Sequence, residues 1–302
     1  MSRAAHVPTF APGGAPVSFL VDYDGTVSLA DVANALLGRF FPDPSLATMD
    51  AAYDAGTIGS RDLTRWDMDV LPDDPALLRE AAAALPQDET FPGFVEAVLG
   101  AGAAVEVVSD GLGFYVEPNL VRLDPRLGAL PVATNENPIA GGTAVTWPYG
   151  HPACFVCGTC KRERVRAHQA AGRAVVFVGD GTSDRYAAHH ADVVFAKDSL
   201  LAWGRATGRA FIEWDRFAEI EAWFRDALRD GTLPATPADG PPWRATQRPL
   251  RLDFICGPEA WGPGRTVPRP PSTGPHSGAA GPALGGGGAQ AVRRAGTPRR
   301  RR

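Results

Sequence analysis

Val17-Ser18-Phe19-Leu20-Val21, followed at once by Asp22-Tyr23-Asp24-Gly25-Thr26, decides how this chain folds. The first five residues are almost all β-branched, aromatic or aliphatic, and they read as a short buried strand. The chain then turns polar, with carboxylates at i and i+2 and a glycine that permits a turn. Two other apolar runs end in the same way. Ala104 to Val108 meets Ser109-Asp110-Gly111, and Ala174 to Val178 meets Gly179-Asp180. Further strands are expected at 130–134, 144–147 and 192–196, and helices at 161–170, 183–190 and 217–228. Between residues 29 and 99 the spacing is helical, cut into short pieces by Pro42, Pro44, Pro72, Pro75, Pro86 and Pro92. Strands alternating with helices, interrupted by one helical block, predict an α/β fold with a parallel sheet and an inserted helical cap. In such sheets ligands gather at the carboxyl ends of the strands, where Asp22, Ser109 and Asp180 are expected.

The 302-residue chain is 44% hydrophobic and 21% charged, values of an ordinary globular protein. No run of about 18 apolar residues is present, which argues against a membrane span. The opening residues lack the unbroken apolar stretch of a secretory signal. Four cysteines cannot frame a core of this size, so the cytoplasm is the expected compartment. The net charge of −4 is unevenly spread, because residues 235–302 hold eleven arginines against three acids. That segment is also about a third glycine and proline, a composition that predicts disorder. The expected organisation is a flexible arm at 1–16, an α/β core from 17–28 plus 101–233, a helical cap at 29–100, and a disordered tail at 234–302.

Four clusters carry the chemistry. Asp22 and Asp24 can divide labour, one staying ionised as nucleophile or ligand while the other donates a proton; a plain Asp-Gly turn is the alternative. Ser109, followed by glycine, offers a hydroxyl and nearby backbone N–H groups to an anion, or else only a helix cap. Gly179-Asp180-Gly181-Thr182-Ser183-Asp184 presents hard oxygen ligands that suit Mg²⁺, unless Asp184 merely caps a helix. Lys161 is one of only two lysines among 30 basic residues and stands where a helix starts, a place for a compact ammonium.

These four signals, in this order, resemble the haloacid dehalogenase superfamily of phosphohydrolases over residues 17–228. The family's D-x-D-G-T matches Asp22 to Thr26, its strand-end hydroxyl Ser109, its lysine Lys161 and its G-D-x-x-x-D Gly179 to Asp184. The resemblance implies a Rossmann-like core and, from the long helix-rich gap before Ser109, the subgroup capped after the first motif. It implies a phosphomonoesterase for a small phosphorylated metabolite in which Asp22 forms an aspartyl-phosphate and Asp24 is the acid and base. It further implies that Ser109, Gly111 and Lys161 bind the phosphoryl group. Mg²⁺ would lie among Asp22, Asp24 (through its carbonyl) and Asp180, with Asp184 orienting that shell.

Within the subgroup, Cys157-Gly158-Thr159-Cys160-Lys161, Trp147-Pro148 and Phe195-Ala196-Lys197-Asp198 are most similar to the phosphatases that act on 2-hydroxy-3-keto-5-methylthiopentenyl-1-phosphate in methionine salvage. Phosphoserine phosphatase is the alternative. Asp31 takes the place of the glutamate such enzymes usually carry in the cap, where it meets the substrate. Asp110 departs from both groups.

His151, Cys154, Cys157 and Cys160 recur every three residues, a spacing that raises structural Zn²⁺, although zinc sites usually join two separated pairs. Inert thiols are the simpler reading, and redox chemistry a third. The arginine-rich tail lacks interleaved aromatics or a recognition module, so nucleic acid is not the expected partner. A non-catalytic relative that binds zinc or nucleic acid is the competing class. Arg39, Tyr53, Arg61, Arg65 and Trp66 are the cap residues from which specificity could be drawn. The sequence leaves the oligomeric state open.

Overall fold

The computed structural model describes residues 15–54, 57–137, 144–151 and 156–235. Six strands form one sheet: β1 (Val17–Val21), β2 (Ala104–Leu112), β3 (Val132–Asn135), β4 (Ala174–Gly179), β5 (Val193–Ala196) and β6 (Ile212–Glu213). Every pairing is parallel, in the order β3-β2-β1-β4-β5-β6. β1 is therefore central, with Phe19 opposite Val105 on one side and Val176 on the other. The chain builds one half of the sheet through β2 and β3, then crosses back to start the other half at β4. That reversal puts a crevice beyond the ends of β1 and β4.

The helices are α1 (Val32–Phe40), α2 (Ser45–Asp54), α3 (Ser60–Val70), α4 (Pro75–Ala83), α5 (Phe91–Gly100), α6 (Gly113–Leu123), α7 (Lys161–Ala170), α8 (Arg185–His190), α9 (Asp198–Ala206) and α10 (Phe217–Asp230). Strands covered on both faces need apolar residues on both. On one face Phe19, Val21, Val105 and Val176 pack with Phe94, Phe217 and Phe224 from α5 and α10. On the other, Leu20, Val175 and Phe177 meet Val165, Ala187 and Leu200 from α7, α8 and α9. No helix among the described residues is long and apolar enough to cross a membrane.

Beneath α7 lies a buried polar lattice. Arg164 grips Glu106 of β2 through two hydrogen bonds of 2.6 and 2.8 Å, and His168 Nε2 lies 2.7 Å from the same carboxylate. Ser18 of β1 bonds His168 Nδ1 and Arg173 Nε, each at 2.9 Å. Burial pushes Glu106 up, but His168 and Arg164 outweigh it and hold the carboxyl below its ordinary value. The lattice fixes α7, and with it Lys161 at its first residue, against the two strands that point into the crevice.

Several expectations need correction. β2 does not stop at Ser109; it runs through Asp110 and Gly111 to Leu112, with an irregular register against β3 after Val108. The stretch 144–147 is not a strand of the sheet: Thr146 makes one isolated antiparallel bridge with Glu136, and Pro148, which has no N–H, follows directly. β3 starts at Val132 rather than 130, just after Pro131. Of the expected flexible arm, Ala15 is buried and its N–H donates to Ala101, so the end of that arm belongs to the fold. Residues 1–14 and 236–302, including nearly all of the expected tail, lie outside the described residues. α5, inside the expected cap at 29–100, packs on β2 and α10 as a sheet-covering helix.

Candidate active site

β1 delivers Asp22 straight into the crevice, where its N–H continues the ladder to Val178 at 2.9 Å. The residue is 3% exposed. Its Oδ1 accepts from the Tyr23 N–H at 2.7 Å and pairs with Lys161 Nζ at 2.7 Å. Oδ2 accepts no hydrogen bond among the described residues. Lys161 reaches the same spot from the start of α7 and also touches Asp184 at 2.7 Å and Ser183 at 2.9 Å. Burial draws the Lys161 ammonium down, but Asp184 and Asp22 more than offset it, and the group stays charged.

Asp184 is fully buried and spends both oxygens on structure. Oδ1 takes Lys161, and Oδ2 accepts the N–H groups of Asp180 and Gly181 at 3.0 Å each. This folds the loop after β4 so that Asp180 faces Asp22. Ligand oxygens of Asp22, Asp180 and Asp184 lie within 4.8 Å of one another. Among the described residues, no other group of three or more such side chains gathers this closely. Burial pushes the Asp22 carboxyl well up, and Asp184 adds to it; burial and Asp184 likewise raise Asp180 to about 7. The hard oxygens of Asp22 and Asp180, crowded by Asp184, are ones that a divalent cation such as Mg²⁺ suits.

Gly25 makes the turn that closes this group. Its φ is +71°, and a Cβ there would run into the Asp180 carboxylate. Thr26 Oγ1, just beyond, donates to Asp180 Oδ1 at 2.6 Å.

Asp24 is not part of the triad, and its side chain bonds residues of α1, β2 and α6. Oδ1 accepts the Val32 N–H at the start of α1 at 3.1 Å, and Oδ2 accepts hydroxyls from Tyr115 at 3.0 Å and Ser109 at 3.3 Å. Burial, with Asp31 second, raises Asp24 to about 7. Burial and Asp24 push Tyr115 well up, so it remains a phenol that donates. The Gly111 N–H is not directed to an incoming anion; it donates to Ser109 Oγ at 2.9 Å. A side chain at Gly111 would strike Tyr115 and Asp24, which explains glycine there.

Sequence reasoning missed Tyr115, which lies on a helix without any motif. It also noted Asp110 only as a departure. In the fold, Asp110 Oδ1 accepts the Thr159 N–H at 2.6 Å, and Asn135 Nδ2 bonds the Asp110 carbonyl at 2.5 Å. The latch ties the end of β2 to the loop that leads into Lys161. The same loop is held from above by α3: Arg61 Nε donates to the Cys157 carbonyl at 2.7 Å, and the Gly158 N–H donates to Ser60 Oγ at 3.1 Å.

Of the other cap residues, Tyr53 is pushed well up by burial first and then by the charges of Asp110, Cys157 and Asp184. Arg61 and Arg65 lie over the Trp147 ring at 5.6 and 5.5 Å. Trp66 packs edge-on against Phe41, and Arg39 lies over Phe40. Asp31 caps α1 through the Asn34 N–H at 2.8 Å and lines a cavity of about 690 Å³ that also reaches Asp180. His151, Cys157 and Cys160 form no metal group among the described residues, and Cys154 lies outside them.

The family model of the haloacid dehalogenase-like hydrolases matches residues 19–189, more than half of the chain, and the chain belongs to that family. Its curated relatives narrow the class to phosphatases. A 2-hydroxy-3-keto-5-methylthiopentenyl-1-phosphate phosphatase of Exiguobacterium sp. strain AT1b is 28% identical over 214 residues, 68% of this chain and 96% of that one. The bifunctional enzyme MtnB/MtnX of Bacillus licheniformis is 31% identical over 228 residues, 70% of this chain and 52% of that one. Among solved structures, a phospho-aspartyl intermediate analogue of phosphoserine phosphatase shares the fold, with TM-score 0.53 at 16% identity over 72% of this chain and 99% of that one.

Proposed function

We propose that this chain is a Mg²⁺-dependent phosphomonoesterase acting through an aspartyl-phosphate on Asp22, with 2-hydroxy-3-keto-5-methylthiopentenyl-1-phosphate as its substrate. The observation that carries the reading is the meeting of Asp22, Asp180 and Asp184 around the Lys161 ammonium. The substrate assignment is supported by the name of the Exiguobacterium relative, which this chain matches along nearly its whole length.

In the first step Asp22 Oδ2 attacks phosphorus and the ester P–O bond breaks. Asp24, titrating near 7, gives its proton to the departing alkoxide. In the second step Asp24 takes a proton from water, whose oxygen attacks phosphorus. The Asp22–phosphorus bond breaks and inorganic phosphate leaves. Lys161 fixes Asp22 for attack in line and offsets charge on the phosphoryl oxygens, and Ser109 stands ready to donate to them. Tyr115 and the Val32 N–H keep Asp24 oriented between the two steps. Asp22 and Asp180, with the Asp24 carbonyl, would hold Mg²⁺, and Asp184 would orient them. When bound, the cation supplies positive charge to the phosphoryl oxygens and relieves the crowded carboxylates. We place the cap proper at α1 to α4. Such metabolic work fits the cytoplasm.

Asp22→Asn, assayed on a phosphate-ester panel with and without Mg²⁺, tests this directly. Turnover should fall by at least about a thousandfold, since the nucleophile itself is lost. Retained activity would remove the mechanism. A strong preference for phosphoserine would replace the substrate while keeping the chemistry.

A further inference from the structure

The 690 Å³ cavity beside the phosphoryl site holds features that the proposed mechanism does not use. One wall is Gly25 and Asp180; the other comes from the ends of β5 and β6. There Lys197, the only lysine besides Lys161, has its Nζ 4.3 Å from the centre of the Trp214 ring. It is partly buried, yet no carboxylate lies within ion-pairing distance of it among the described residues. Trp214 is 3% exposed and its Nε1–H is buried without a hydrogen-bond partner. The N–H is closed off from the cavity, and the part of Trp214 that meets the ammonium is its ring. The next residue after Lys197, Asp198, has φ of +46°, the one non-glycine residue with positive φ among the described residues. Such strain persists where a loop must be held in one shape, often beside a binding site.

The cavity wall also constrains the charge of its occupant. Asp31, Asp198, Glu213, Asp215 and Glu219 outnumber Lys197 and Arg216. That field opposes an anionic substituent, while the ammonium wants oxygen lone pairs. An uncharged carbonyl or hydroxyl meets both demands. The volume suits the organic part of a small metabolite.

We propose that Lys197, seated on the Trp214 ring, is a specificity-determining residue that receives a carbonyl or hydroxyl oxygen of the leaving group in this cavity. The proposal rests on the phosphatase reading, because the cavity is a leaving-group site only if phosphoryl transfer occurs at its edge. Lys197 donates to the oxygen, the Trp214 ring supports the ammonium from below, and the surrounding carboxylates exclude a carboxylate-bearing ester.

The test compares kcat/KM for phenyl phosphate, dihydroxyacetone phosphate and phosphoglycolate in the full chain with Mg²⁺. Lys197→Met should lose at least about tenfold more on dihydroxyacetone phosphate than on phenyl phosphate, expressed mainly in KM. Lys197→Arg, which keeps a cationic donor, should recover part of that difference. Trp214→Phe should shift the same ratio by a smaller factor, and it carries the test if the lysine variants do not fold. Equal losses on the two esters, or a larger loss on phosphoglycolate, would overturn the proposal. A wild-type protein that hydrolyses none of the three would bring down the phosphatase reading first, and the leaving-group assignment with it.

Discussion

On the floor of the crevice Lys161 touches Asp22 and Asp184 at 2.7 Å each and Ser183 at 2.9 Å. On the flank Lys197 touches no carboxylate among the described residues and rests over the Trp214 ring. Lys161 enters from the start of α7, and Lys197 directly follows β5. The floor is assembled before any substrate arrives, as groups that stabilise a transition state should be. The flank keeps donors in reserve, as groups that choose among ligands can. Charge pairing, rather than charge itself, separates the two regions.

That contrast can be broken most forcefully at the floor. Lys161→Met leaves Asp22 and Asp184 buried around no cation. Removing one partner of a buried ionic cluster costs about 3–5 kcal/mol, which urea unfolding in the absence of Mg²⁺ would read. Mg²⁺ should restore part of the lost stability by replacing the missing positive charge. A loss no larger than that of an exposed pair would show the floor to be less tightly built than its distances imply.

The second way concerns pH. In the proposed mechanism Asp24 must carry a proton to release the alkoxide, and with its pKa raised to about 7, kcat/KM should fall as pH rises through about 7. Asp31 is the second cause of that elevation. Asp31→Asn keeps a residue able to cap α1 but removes the charge. It should lower the Asp24 pKa and start the fall at lower pH, leaving kcat/KM at pH 8 roughly two- to threefold below wild type. An unmoved pH profile would show that Asp31 does not act on the acid.

The smallest expected effect lies in the cap. Asp67 on α3 is 7% exposed, and its Oδ1 has no hydrogen-bond partner. Burial, then Asp31 and Asp50, raise its pKa well above the ordinary value. As pH climbs past the ordinary carboxylate range, the unfolded chain sheds this proton while the fold resists doing so, and stability declines. Asp67→Asn should therefore stabilise by about 1 kcal/mol near pH 7 and by less near pH 4. Thermal unfolding at the two pH values gives the comparison, and a gain larger at low pH would contradict it.

The floor was the part the sequence could disclose. β1 begins and ends where its apolar run does, and α7 starts at Lys161 as its composition indicates. Asp22, Ser109 and Asp180 sit where polarity interrupts buried strands, which is a local signal. The flank and the latches were not legible for a physical reason. Tyr115 meets Asp24 across 91 residues, and Asp110 meets Thr159 across 49, with no periodicity linking them. α6 was hidden behind Gly113 and its internal Pro118, two breaker signals that tertiary packing overrides. β6 has only two residues, too few to show alternation. The departure at Asp110, read alone, pointed away from both relatives; in three dimensions it holds the loop that aims Lys161.

The most direct measurement stops the protein during turnover of a phosphate ester with Mg²⁺, using acid quench, borohydride reduction and peptide mass spectrometry. An acyl phosphate on the nucleophile reduces to homoserine, and the account predicts that product at position 22 alone. Steady turnover with Asp22 unmodified, or homoserine at position 24 instead, would contradict it.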